Sequence, residues 1–253
     1  MAMVPVGCRP GLLVARTPRV ISGRPKRSSF PLALTSSLAV ALGRRVARAA
    51  KFVPADGVEL EVLGGPSESE SRVSLVCIHG SYHAAWCYAK YLDFFRESGI
   101  NAYALSLRGQ GDGEMAFKPV AGTLEEHASD VSAFVNQLKS EGQEVVLLGH
   151  SFGGLITLQA AAAVQLAGLV LLCSVPPSGN VGIILRSLFR SPLQALRITW
   201  GFITRAFERD ELLCREIFFD TDTPLPEVQE HMARMKRGRG SPASSVEYEF
   251  YNL

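Results

Sequence analysis

The stretch "EVVLLGHSFGGL", residues 144–155, constrains the fold more than any other part of this chain. An apolar run of strand length leads into Gly149-His150-Ser151-Phe152-Gly153, and a small-residue helical pattern follows. A serine between glycines, where a buried strand gives way to a helix, sits on a sharp and strained turn. The flanking glycines remove the Cβ atoms that would collide there. The hydroxyl is then held out at the top of a sheet, beside the positive end of a helix. A bare G-x-S-x-G says little. With a strand before it, an Ala- and Leu-rich helix after it, and Gly154 extending it, the motif marks Ser151 as the candidate nucleophile, with Gly149 and Gly153 shaping the turn.

The surrounding pattern supplies the sheet this turn requires. "VSLVCI" (73–78), "NAYALSL" (101–107) and "AGLVLLC" (167–173) are continuous apolar runs of strand length, as expected for strands covered on both faces. Helical spacing fills the gaps: Ala85 to Glu97 with a stop at Gly99, a helix from Thr123 with a Thr123/Glu126 capping box, and a helix from Phe152 to about Val164. "FVPADGVELEVLGG" reads as a strand or hairpin turning at Asp56-Gly57. Strand and helix alternate over residues 72–173, which predicts an α/β fold: a mostly parallel sheet with helices on both faces. Ligands sit beyond the carboxyl ends of such strands. The loops His79-Gly80-Ser81, Arg108-Gly109-Gln110 and Gly149-His150-Ser151 leave those ends together.

The chain divides into three parts by composition. Residues 1–50 form a leader rich in Arg, Ser, Pro and Ala, followed by a core over 51–175 and a Leu-, Ile-, Phe- and Arg-rich helical cap over 176–253. The 55 amino-terminal residues hold 10 Lys/Arg and no acid, while the other 16 basic residues face all 24 acids, leaving a net charge of −8 beyond them. A basic, hydroxylated, acid-poor leader is the composition of a disordered organellar transit peptide, with chloroplast preferred to mitochondrion. The mildly acidic remainder carries no footprint for nucleic acid. The apolar leader stretch "FPLALTSSLAVAL" is too short and too polar to span a membrane. The five scattered cysteines form neither a disulfide framework nor a zinc site; Cys77 and Cys173, inside apolar runs, read as buried. No metal or organic cofactor is indicated.

Three motifs in order, "CIHGSYHAAW", "LRGQGDG" and the Ser151 elbow, resemble the α/β-hydrolase family over residues 52 to about 175. The wording "HGSYHAAWCY" is most similar to lipase, esterase and methylesterase members. The resemblance implies that the backbone N–H groups of Ser81 and Phe152 form an oxyanion hole for a carbonyl under attack, with His79 and Gly80 supporting the loop. Gly113 stands where many members have serine. His150 should point away from the reacting atom. His83 and Trp86 are candidates for the pocket lining, Trp86 equally for a helix core, and His127 and Asp130 fall on a solvated helix face.

A serine needs a general base, and that base needs an orienting acid. The family order is Ser, then Asp or Glu, then His, the last two on loops after two further strands. His231 is the one histidine after Ser151. It lies in "PEVQEHMARMKR", an amphipathic cap helix, and Asp210, Asp220 and Asp222 read as solvated cap charges. The expectation is therefore a carboxy-truncated α/β hydrolase whose last strands are missing, marginally stable through its exposed sheet edge and hydrolytically weak or dead. Its lineage is a serine hydrolase acting on an apolar or acyl-containing ester, thioester or lipid. A non-catalytic binding or regulatory relative is the other reading.

Overall fold

The computed structural model describes residues 13–15, 49–111 and 122–237. Its centre is β4 (Val73–Ile78), whose run VSLVCI is buried from its second residue on. β5 (Asn101–Leu105) lies parallel on one side and β6 (Glu144–His150) parallel on the other. β7 (Gly168–Leu172) continues parallel beyond β6. Antiparallel strands close both flanks: β3 (Leu60–Gly65) on β5 and β2 (Ala49–Phe52) on β3, with β1 (Leu13–Ala15) on β7. Among the described residues the sheet order is β1-β7-β6-β4-β5-β3-β2. The hairpin expected around Asp56-Gly57 is the β2–β3 pair. Within the leader expected to lack structure, Leu13–Ala15 lies as a strand; the remaining described leader residues, Ala49 and Ala50, begin β2.

Alternation along β4 explains why both faces must be covered. Val76 and Ile78 point into one core with Leu105 and Leu147, closed by Val131, Phe134, Val135 and Leu138 of α2 (Leu124–Ser140) and Ile156 and Ala160 of α3 (Phe152–Ala163). Leu75 and Cys77 point into the other, with Ala102 and Ala104, under Ala85, Tyr88 and Leu92. Ala85–Tyr88 is a 3₁₀ turn that leads into α1 (Ala89–Glu97). Each large side chain so buried contributes roughly 1.5–3 kcal/mol. The start of α2 is fixed by the expected box: Thr123 Oγ1 accepts from Glu126 N–H at 3.2 Å, and the Glu126 carboxylate accepts from Thr123 N–H at 2.6 Å.

β7 departs from expectation. Its apolar run looked like a fully buried strand, yet no residue of it is buried and Leu172 is exposed. Among the described residues only three-residue β1 lies outside it, so this flank is thinly covered by them. Cys173, expected to be buried, is exposed, whereas Cys77 is buried and its thiol is pushed up to about 12 by that burial. After β7 come α4 (Val181–Arg190), α5 (Pro192–Thr204), α6 (Glu211–Phe218) and α7 (Leu225–Arg237), the expected cap helices. Among the described residues no strand follows β7 and no helix is long and apolar enough to cross a membrane. "FPLALTSSLAVAL" lies outside the described residues, as does Gly113.

Candidate functional site

The connections place a topological switch point at the end of β4. The chain leaves β4 through α1 to β5 on one side, then crosses back through α2 to β6 on the other. Loops diverging from a shared carboxyl edge leave a gap there, the usual ligand position in such sheets. His79-Gly80-Ser81, Arg108-Gly109-Gln110 and His150-Ser151 all lie at this edge.

Ser151 sits between β6 and α3 with φ 55° and ψ −122°, a backbone conformation that L residues rarely hold. Three hydrogen bonds secure it. Its N–H donates to the Leu172 carbonyl at 3.1 Å, and its own carbonyl accepts from Gly154 and Val175 N–H, each at 3.0 Å. The neighbouring glycines are required by close approach. A Cβ on Gly153 would overlap the His79 carbonyl oxygen and stand 2.5 Å from that of Ile78. One on Gly149 would overlap Thr157 Oγ1 and stand 2.6 Å from the Gly153 carbonyl oxygen. The first turn of α3 can therefore lie directly on the end of β4. Gly80 completes the approach, since a Cβ there would come within 2.9 Å of Ser151 Cβ and 3.2 Å of His150 Nδ1. The loop carrying Ser81 and the turn carrying Phe152 thus meet at Ser151.

Two histidines brace that loop. His79 is fully buried; its Nδ1 lies 2.8 Å from the Gly80 carbonyl and its Nε2 3.0 Å from Leu107 N–H. Nε2 must accept from the amide, so Nδ1 carries the proton and donates, and the ring is neutral. Burial pushes its pKa down to about 3. His83 Nδ1 lies 2.9 Å from the Ser81 carbonyl, and burial brings that ring to about 4. Ser106 ties the same region together: its Oγ accepts from Ala85 N–H at 2.9 Å and donates to the Glu61 carboxylate at 2.8 Å. Sequence reasoning missed Ser106, which had no local signal beyond its place at a strand end.

His127 and Asp130 are not solvated. Both are almost fully buried, because the loop after β5 folds onto that side of α2. Arg108 meets Asp130 with two bonds of 2.5 Å, Nε to Oδ2 and Nη2 to Oδ1, and reaches Asp56 at 2.6 Å. This ion group pins the Arg108-Gly109-Gln110 loop. His127 Nδ1 is buried without a hydrogen-bond partner, and burial, helped by the Arg108 charge, pulls the ring down to about 4.

The cap side is aromatic. Trp86 is buried with Tyr82, Phe207, Phe218 and Phe219 in the cluster that joins the Ser81 loop to α5, α6 and α7. His231 lies in this wall, edge-to-face with Trp86 (5.3 Å between centroids) and with Phe219 (5.0 Å). Its Nδ1 is buried without a partner, and burial lowers its pKa. Among the described residues, no carboxylate hydrogen-bonds any histidine. Asp210 is not a free charge but the cap of α6, accepting from Leu213 N–H at 3.0 Å; Asp220 accepts from Thr221 N–H at 2.7 Å, and Asp222 is exposed. Among the described residues no cluster of three or more His, Cys, Asp or Glu could hold a metal ion.

Comparison with known proteins now decides the family, because the model of the alpha/beta hydrolase family matches residues 75–248. The chain belongs to the alpha/beta hydrolase family. Among its curated relatives, Esterase PIR7B of Oryza sativa subsp. japonica is 33% identical over 87 residues, covering 34% of this chain and 32% of that protein. Methylesterase 2 of Arabidopsis thaliana is 32% identical over 89 residues, covering 35% and 34%. The matched stretch spans about a third of the length of each of these relatives. A solved carboxyl esterase from Bacillus coagulans superposes with a TM-score of 0.50 at 16% identity, covering 82% of this chain and 72% of that one, a likeness of fold.

Proposed function

We propose that this alpha/beta hydrolase is a serine hydrolase that acts on an ester, thioester or lipid-like substrate through Ser151. Ser151 would attack the carbonyl, with the backbone N–H groups of Ser81 and Phe152 receiving the developing oxyanion. The observation that supports this most is the strained backbone of Ser151 at the strand–helix turn. Strain of this kind at a polar residue is a mark of functional sites. The esterase and methylesterase relatives favour an ester, and the Leu-, Ile- and Phe-rich composition of the helices after β7 favours an apolar acyl or alkyl group. A plastid location is proposed with it, on the basic, acid-poor leader and on relatives whose names carry the word chloroplastic.

His231, held between two rings and without a carboxylate partner, is a poor general base for this serine. The proposal is therefore of weak hydrolysis by the 253-residue chain, and the same observation favours a second reading, a binding or regulatory relative that keeps the pocket. A fluorophosphonate probe separates them. Slow labelling that disappears in Ser151→Ala supports a nucleophile without an efficient base. Fast stoichiometric labelling overturns the expectation of weak activity. Absence of labelling at Ser151 in folded protein moves the assignment to the binding relative.

A further inference from the structure

Helices α4 and α5 turn their apolar stripes outward. Along α4, Val181, Leu185 and Phe189 recur every four residues and are 59%, 50% and 88% exposed. Along α5, Leu193, Leu196 and Trp200 follow at three- and four-residue steps and are 83%, 58% and 56% exposed. The opposite side of α5 is already used: Ala195 and Gly201 are buried, and Gly201 faces Ile217 and Leu213 of α6. The outward stripes are thus a second apolar surface, beyond what the cap needs for its own packing. Ser191 alone separates the two helices, so the stripes are neighbours in the chain.

The charges carried by these two helices are of one sign. No acid occurs between Glu144 and Glu208, a span that contains Arg186, Arg190, Arg197 and Arg205. Arg205 pairs with Glu208 and Arg197 with Glu216 at 3.3 Å, but Arg186 and Arg190 have no ion pair among the described residues. Exposed Phe and Leu, a Trp on the same face and arginines without carboxylate partners form the pattern of helices that lie in a membrane interface. In such helices arginine stems extend along the apolar face while the guanidinium groups reach headgroup phosphates.

We propose that the α4–α5 surface docks on an anionic lipid bilayer, with Phe189, Leu193 and Trp200 entering the headgroup–acyl boundary and Arg186 and Arg190 binding the lipid phosphates. A second copy of the chain would face Arg186 and Arg190 with the same arginines near its own stripes. An anionic bilayer complements both the apolar stripes and the charge. The inference does not depend on whether Ser151 reacts.

Vesicle flotation of the full chain tests it, with phosphatidylcholine alone against phosphatidylcholine containing phosphatidylglycerol. The protein should float with the anionic vesicles, and added salt should release it. Trp86 is buried, so the blue shift of tryptophan emission on binding should come from Trp200 and vanish in Trp200→Phe. Arg186→Gln with Arg190→Gln should weaken binding about 30-fold, and Phe189→Glu with Leu193→Glu should abolish it. These positions are exposed, and an unchanged circular dichroism spectrum and urea midpoint would show that each variant is folded. Binding that ignores both pairs overturns the proposal. So does a Trp200 already shielded from acrylamide without lipid, whether sedimentation then gives a dimer or a monomer covered by its own chain.

Discussion

His127 gives a quantitative test of how the loop after β5 is packed. It is 2% exposed, its Nδ1 has no partner, and its pKa is brought from an ordinary 6.5 to about 4 by burial and by Arg108. A histidine with a folded value below its unfolded value favours folding in the neutral form. Its contribution is complete above pH 6.5 and declines as the pH falls toward 4. Between pH 7.5 and pH 5 the unfolded ring takes up most of a proton and the folded ring little, so the native state loses about 2 kcal/mol. Other groups titrate over this range, so the useful quantity is a double difference. His127→Leu removes the titration, and any packing change it makes is common to both pH values. The stability of the variant relative to the wild type should therefore rise by about 2 kcal/mol between pH 7.5 and pH 5. With a urea slope of about 2–3 kcal/mol/M this is a relative midpoint shift of roughly 0.7–1 M. A double difference within about 0.5 kcal/mol of zero, well below the linkage value, would mean that His127 charges freely in the native state. The Arg108 loop would then not be closed over α2.

Three further predictions concern the same edge of the sheet. Gly153→Ala drives a methyl group against the Ile78 and His79 carbonyls, so urea melts should show a loss of about 1–3 kcal/mol or more, together with reduced fluorophosphonate labelling. Asp130→Asn leaves Arg108 without its two-bond partner, and the expected loss is about 3–5 kcal/mol at neutral pH; a loss below about 1 kcal/mol would show that Asp56 suffices. Ser151→Gly should raise the urea midpoint by an amount equivalent to about 1 kcal/mol, because relief of backbone strain outweighs the added freedom of the unfolded chain, while labelling is abolished.

Features recorded by local spacing were legible in the sequence. β4 is covered on both faces, so it reads as an unbroken apolar run; the Thr123 box and the glycines around Ser151 act within a few residues of themselves. β7 shows where that logic fails. Its run is as apolar as that of β4, but apolarity records that a strand tends toward burial and not which neighbours supply it. His127 and Asp130 fail for a related reason. Asp130 falls off the apolar stripe of α2, and the group that buries it, Arg108, comes from a loop with no periodic relation to the helix, whereas His127 shares helical spacing with Val131, Phe134 and Leu138 and stands at the edge of the stripe. The turn at Ser151 is a local construction and could be read from twelve letters. A general base is a distance between remote parts of the chain, which no spacing in this sequence encodes.

The strain at Ser151 also assigns a role to the thinly covered flank of the sheet. A polar residue in this backbone region costs about 1–3 kcal/mol, and it persists only where the surroundings hold it. Of the three bonds that hold Ser151, one runs to the Leu172 carbonyl at the end of β7 and another to Val175 N–H just beyond. Each contributes about 1 kcal/mol, so together they match the strain. Gly154 reinforces the link, since a Cβ there would overlap the Ser174 side chain. The half-exposed strand is therefore what keeps the serine presented. Loosening of β7 from β6 would let the turn relax to an ordinary helix start before the rest of the core, around β4, felt any change.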